Sequence, residues 1–152
     1  MEIKQEVLKI KKVRPEAALP QRATAGSAGM DLCACMEEPL TIAPGDLVSI
    51  PTGIAVALPS SGYVALVFAR SGLGVRHGIA LSNGVGVIDS DYRGEVCVGL
   101  CNLGAEPYTI QPGERVAQMI AAPVFAAQLT ETDTLDDTDR GAGGFGSTGR
   151  LA

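Results

Sequence analysis

The residues best equipped for chemistry stand together in Ile88-Asp89-Ser90-Asp91-Tyr92-Arg93-Gly94, where two carboxylates, a hydroxyl, a phenol ring and a guanidinium fall within five positions of one another. An ionised Asp on a loop can polarise water at neutral pH and take its proton. A solvated acidic turn with Tyr92 in the core would use the same residues, so the stretch alone leaves both readings open. Just before it, Asn83-Gly84 is a hairpin signal, because both residue types accept positive φ. The spacing predicts a hairpin tip whose backbone donors and acceptors can pair with a nucleobase edge.

Other stretches add groups suited to anions. Ala69-Arg70-Ser71-Gly72-Leu73-Gly74 offers a guanidinium, a hydroxyl and backbone amides free of Cβ obstruction, although a plain turn accounts for it equally. Ala25–Leu32 puts Asp31 at the mouth of an apolar run, where it could cap a turn, and Gly113–Met119 puts Gln118 inside another, where it could face a neighbouring strand. The tail, Arg140-Gly141-Ala142-Gly143-Gly144-Phe145-Gly146-Ser147-Thr148-Gly149, first suggests a phosphate-binding loop. It fails that test, because Ser147 replaces the required Lys, no strand precedes it, and no helix has room to follow. What remains is a row of accessible N–H groups with one Arg, two hydroxyls and one ring, equipment to wrap a triphosphate and stack on a base.

These groups need a scaffold, and composition indicates its kind. The 152 residues suit one domain, and a hydrophobic share of 46% with only 4% aromatic and no Trp implies a core of Val, Ile, Leu and Ala, which favours strands. Nineteen Gly and nine Pro cut the chain into short runs: Val7–Val13, Met30–Met36, Asp46–Ile50, Gly53–Leu58, Tyr63–Phe68, Gly78–Leu81, Gly94–Asn102, Pro107–Ile110 and Arg115–Val124. One short helix is expected around Arg70–Val75. Many short strands without an intervening helical period imply a sandwich or jelly roll. From Gln128 to Asp139 the chain is acidic and threonine-rich, and it turns glycine-rich from Arg140. Such a segment buries too little apolar area to offset ordering costs of ~1–2 kcal/mol per residue. The expected division is a core over 1–127 and a flexible arm over 128–152.

A net charge of −5 argues against gripping nucleic acid. A polyanionic substrate would need local cations and a metal ion. Lacking a secretory leader pattern or a membrane-length apolar run, the chain is expected to be soluble, unexported and cytoplasmic. Cys33, Cys35, Cys97 and Cys101 match no structural-zinc spacing, and with one His in the chain they are expected to be buried, reduced thiols. His77, with no Cys or Ser suggestively paired to it, is expected to have a surface or packing role.

Taken in order, the runs Ala25–Leu32, Arg70–Gly74, Ile88–Gly94, Gly113–Met119 and Arg140–Gly149 resemble the five motifs of the homotrimeric deoxyuridine triphosphatase (dUTPase) family. The resemblance spans nearly the whole chain. Ala69 sits where many members have Pro, Met30 where Leu is usual, and Ala142 at a variable position; none of these removes a functional group. The resemblance implies a distorted all-β jelly roll (the β-clip of this family) with a glycine-rich arm, and Mg²⁺-assisted hydrolysis of dUTP to dUMP and pyrophosphate. That reaction lowers dUTP and supplies dUMP for thymidylate synthesis.

The resemblance further assigns Asp89 to water activation at the α-phosphorus. It places Asn83, Gly86, Val87 and Ile88 at uracil, Tyr92 at the deoxyribose, and Arg70, Ser71, Gly72 and Gln118 at the phosphates, with Asp31 in support. Arg140, Phe145, Gly146, Ser147 and Thr148 would close over the nucleotide from another subunit, so that the trimer shares its sites. The metal would be held mainly by substrate phosphates and waters. The rival readings are a dCTP deaminase of the same superfamily, which usually lacks the Phe-containing tail and the Asp-Ser-Asp-Tyr-Arg-Gly pattern, and a non-catalytic dUTP-binding protein.

Overall fold

A computed structural model describes residues 6–145. Along the chain run β1 (Lys9–Lys12), β2 (Met30–Cys33), β3 (Leu40–Ile42), β4 (Leu47–Pro51), β5 (Ile54–Ala57), β6 (Tyr63–Ala69), α1 (Ser71–His77), β7 (Ile79–Leu81), β8 (Gly86–Ile88), β9 (Cys97–Asn102), β10 (Tyr108–Ile110) and β11 (Arg115–Pro123). The strands pair antiparallel in four small sheets, ordered β2-β11-β6-β8, β4-β9-β7, β1-β5 and β3-β10. The architecture is all-β and jelly-roll-like, as the run lengths imply.

Between the sheets lie Leu32, Ile42, Ile50, Ile54, Ile79, Val98, Leu100, Ile110, Val116 and Met119, each essentially inaccessible. Aliphatic side chains thus fill the centre, and Tyr63 and Tyr108 pack only at its margin. Strand β9 shows the period of two: Val98, Leu100 and Asn102 are buried, while Cys97, Gly99 and Cys101 face the other way. The thiols are free, but only Cys35 is buried; Cys97 is exposed and Cys33 and Cys101 are half-buried, which corrects the expectation of four buried thiols.

Two further corrections concern strands. Neither β3 nor β8 is among the runs read from the sequence; each pairs with a strand distant in the chain, β10 and β6 respectively, and that pairing is not a local property. The Asn83-Gly84 hairpin does not form: β7, before it, pairs with β9, whereas β8, after it, pairs with β6. The turn instead carries the chain from one sheet to another. A bond from the Gly84 N–H to the Leu81 carbonyl (3.1 Å) closes it, and of the two turn residues only Gly84, at φ +72°, takes the left-handed conformation.

Asn102 is the buried polar side chain on which several loops converge. Its amide donates to the carbonyls of Ile42 (2.9 Å) and Glu106 (2.8 Å), and its oxygen accepts from the Gly104 N–H (2.9 Å). Asn102→Ala would leave three backbone groups without partners where water is scarce. We expect a loss of about 3 kcal/mol, read as a fall in Tm on the order of 10 °C in a thermal scan.

Candidate functional site

Apart from those of the tail, the residues assigned to the site in the sequence gather in two separate cavities. The larger, about 300 Å³, is lined by Asn83, Gly86, Val87, Ile88, Asp89 and Tyr92 together with Glu95–Gly99, Val67 and Leu81. Gly86 suits the close packing there: a Cβ would stand 3.0 Å from that of Val67, a tight contact for β8 lying on β6. Asp89 is exposed, and its carboxylate makes no hydrogen bond or ion pair among the described residues.

The loop that carries Asp89 is firmly built. Its carbonyl accepts from the Tyr92 N–H (3.2 Å), and the Tyr92 hydroxyl donates to the Glu95 carbonyl (3.0 Å). The phenol ring then covers Gly94, where a Cβ would come within 2.4 Å of the hydroxyl oxygen. Arg93 turns its guanidinium back onto the carbonyls of Ser90 and Tyr92, both at 2.8 Å.

The smaller cavity, about 190 Å³, is lined by Ser27, Gly29, Asp31, Arg70, Ser71, Gly72 and Gln118. Register explains the gathering. Gln118 of β11 stands between Asp31 of β2 and Phe68 of β6, and Arg70 follows directly after β6. Asp31 forms an ion pair with Arg70, Oδ1 to Nε at 3.0 Å, and accepts a hydrogen bond from Arg115 Nη1 at 3.1 Å. The Gln118 amide donates to the Ala69 carbonyl (3.1 Å), and Gly29 makes room for its side chain, since a Cβ there would sit 2.8 Å from Oε1. Before Asp31, the Arg22 guanidinium donates to the Ser27 carbonyl and fastens that loop.

The cavities have no lining residue in common. Ile88 lies opposite Ala65, near the start of β6, whereas Arg70 lies past its end. At ~3.3 Å per residue the two groups are on the order of 20 Å apart. A single chain therefore does not bring Asp89 to the Asp31–Arg70–Gln118 cluster. Of the tail, Arg140 donates to the Gly143 carbonyl (3.0 Å) and Phe145 is fully exposed, and neither touches a cavity wall. Gly146, Ser147 and Thr148 lie outside the described residues. His77 packs on Tyr108, ring centroids 4.7 Å apart, away from both cavities, as its packing role anticipates.

Sequence reasoning passed over Arg115, the second cation on Asp31, and Glu95, which binds Arg14. Arg115 stands three residues before Gln118 in a stretch already singled out, and that proximity was the available signal. Glu95 had none, because its partner is 81 residues away. Among the described residues no three His, Cys, Asp or Glu side chains converge on a point that could hold a metal, and no helix is long and apolar enough to cross a membrane.

A protein-family model described as dUTPase matches residues 15–149. The deoxyuridine 5'-triphosphate nucleotidohydrolase of Desulfitobacterium hafniense (strain DSM 10664 / DCB-2) is 56% identical over 144 residues, covering 93% of this chain and 95% of its own. That of Shigella flexneri is 50% identical over 139 residues, 91% of each chain. Among solved structures, a variant dUTPase of Staphylococcus bacteriophage 80alpha with dUpNHpp superposes with a TM-score of 0.87 at 25% identity, covering 96% of this chain and all of that one. A variant dUTPase of phage phi11 of S. aureus, in which coordination of a structural Mg(II) ion is described, superposes with a TM-score of 0.77 at 22% identity over 87% of this chain.

Proposed function

As a member of the dUTPase family, to which the chain belongs, the protein hydrolyses dUTP, and we propose that it does so with Asp89 as the base and with sites completed by neighbouring copies in a homotrimer. The difference between Asp31 and Asp89 carries this reading. Asp31 is committed to two guanidinium groups, whereas Asp89 is free to accept a proton from water. In this reading that water attacks the α-phosphorus, giving dUMP and pyrophosphate.

The larger cavity takes the nucleoside. Backbone groups from Asn83 to Ile88 meet the uracil edge, where cytosine would present the wrong donor pattern, and Tyr92 closes the space a ribose 2′-hydroxyl would need. The smaller cavity takes the phosphates, through Arg70, Ser71, the Gly72 amide and Gln118, with Asp31 paired to Arg70 through one contact. The arm over 128–152, divided from the core over 1–127, brings Arg140, Phe145, Gly146, Ser147 and Thr148 over the nucleotide. We place the protein in the cytoplasm with the nucleotides it acts on, and assign it no nucleic acid or membrane partner.

The donor set suits Mg²⁺ carried by the substrate rather than by a protein cage, since among the described residues no three His, Cys, Asp or Glu side chains converge where a metal could sit. Bound to the triphosphate, the ion would neutralise charge on the departing pyrophosphate, and Asp31 would face its waters.

Because one chain keeps Asp89 and Arg70 apart while a base must come within ~3 Å of the proton it takes, a shared site follows. Mixing experiments test it. Asp89→Asn and Arg70→Ala are each expected to be nearly inactive, and subunits of the two exchanged in dilute denaturant are expected to recover part of the activity. No recovery, with mixed trimers shown by mass spectrometry, would confine each site to one chain. The reaction itself is checked by following pyrophosphate and ammonia release from dUTP, UTP, dTTP and dCTP with Mg²⁺. Pyrophosphate from dUTP alone is expected, and ammonia from dCTP would indicate a deaminase.

A further inference from the structure

Glu95 is in the wall of the nucleoside cavity, yet its carboxylate points away from the open space toward Arg14, in the segment after β1. Arg14 Nε and Nη2 meet Glu95 Oε1 and Oε2 at 2.7 and 3.0 Å, a two-pronged fork, and the Gly53 N–H donates to Oε1 at 2.8 Å. The three hydrogen bonds this carboxylate accepts thus all come from Arg14 and Gly53, on the β1–β5 side. Its main chain serves the other side, because the Glu95 carbonyl accepts the Tyr92 hydroxyl.

We propose that the Arg14–Glu95 fork is a positioning device for Tyr92 that helps set the preference of the enzyme for deoxyribose over ribose.

The argument is one of leverage. Tyr92 is 44% exposed, and its ring is not among the side chains of the hydrophobic cluster. It is held by its hydroxyl bond to residue 95 and by contact with Gly94, both inside its own loop, so the ring is only as well placed as the backbone at Glu95. That backbone is anchored by the fork and, one residue on, by Val96, whose carbonyl accepts from Thr52 N (3.2 Å) and Thr52 Oγ1 (2.5 Å) and whose N–H donates to Ile54 (2.8 Å). Gly53 completes the seat. It takes φ +71°, and a Cβ there would come within 2.7 Å of Ala17 and 2.8 Å of the Cys35 sulfur, so Gly is needed to aim its N–H at the carboxylate.

Bidentate Arg–carboxylate pairs add geometric definition beyond their energy. For an ion pair this exposed the contribution to overall stability is small. Its effect should therefore appear in where the ring stands. The hydrogen bond from Arg14 also holds the Glu95 carboxyl below the usual carboxylate range. Since the folded value is the lower one, the contribution is present at neutral pH and is lost only in acid, as pH falls through the folded value.

This inference rests on the assignment of Tyr92 to the sugar, and the test separates the two. The ratio of kcat/KM for dUTP to that for UTP is measured, together with Tm, in the wild type, Tyr92→Ala, Glu95→Gln, Arg14→Ala and the Glu95→Gln/Arg14→Ala double variant. Tyr92→Ala is expected to lower the ratio about 100-fold, and each single fork variant about tenfold. The double variant is expected to fall no further than either single one, since both remove the same contact. Glu95→Gln retains an acceptor for Gly53 and is expected to fold even if a harsher change did not. A lowered Tm with an unchanged ratio in the fork variants would reduce the pair to a structural contact and overturn the inference. An unchanged ratio in Tyr92→Ala would instead overturn the assignment of Tyr92 itself.

Discussion

Asp89→Asn is expected to lower kcat for dUTP by about 10³-fold while leaving KM within a few-fold of the wild type, measured by pyrophosphate release at saturating dUTP and Mg²⁺. The change is nearly isosteric and removes the charge. A positioned general base contributes ~10²–10⁴ in rate, and an amide cannot accept the proton. The fold should be indifferent to it, because the Asp89 side chain is exposed and the loop uses only its carbonyl, through the Tyr92 N–H. Binding should survive as well, since the groups assigned to the phosphates belong to the other cavity. A variant that keeps its turnover would remove Asp89 from the reaction. Loss of turnover together with loss of nucleotide binding would make it a binding group instead.

Asp31 provides the contrast that gives this result its meaning. Asp31→Asn would also reduce activity, but by a different route: it withdraws the charge that fixes Arg70 and Arg115, so the phosphate-side fork would loosen and KM would rise. The two carboxylates look alike in sequence, each beside an apolar strand and a glycine. Their partners across the sheets separate them.

Legibility in the sequence follows the range of the interactions involved. Aliphatic composition and turn residues are local properties, and they correctly indicated an all-β chain and runs near most of the strands, including β6 and β11. They missed β8 because its three residues owe their extended state to β6 beside them. They misread Asn83-Gly84 for the same reason, as a turn signal says that the chain reverses but not which strands then pair. The family motifs implied sites shared between chains through the tail, but not how the core motifs divide; the register of β6 places Asp89 and Arg70 at opposite ends of a seven-residue strand, a long-range fact that no spacing encodes. Glu95 was invisible on the same ground, because only the fold brings Arg14 to it.

Deleting residues 138–152 is expected to lower kcat/KM for dUTP by about 10³-fold without unfolding the protein. The core supplies the second half of that statement: from Pro123 to Ala142 every residue is exposed, and none of the residues in the hydrophobic cluster comes from this segment. Removing it should shift Tm by less than about 2 °C. The first half follows from what the segment offers. Among the described residues the Phe145 ring is fully exposed, and a base stacked on an aromatic ring is worth ~1–3 kcal/mol. A guanidinium on a phosphate adds ~1.5–3 kcal/mol. Together about 4 kcal/mol would be lost, which is the stated factor. If these contacts tighten as the reaction proceeds and exclude water, the loss should fall on kcat as well as on KM. Phe145→Ala in the full-length chain should reproduce the stacking part alone, about tenfold. Unchanged kinetics in the shortened protein would make the arm a passive tail, and a large drop in Tm would place it in the fold of a neighbouring subunit instead of over the substrate.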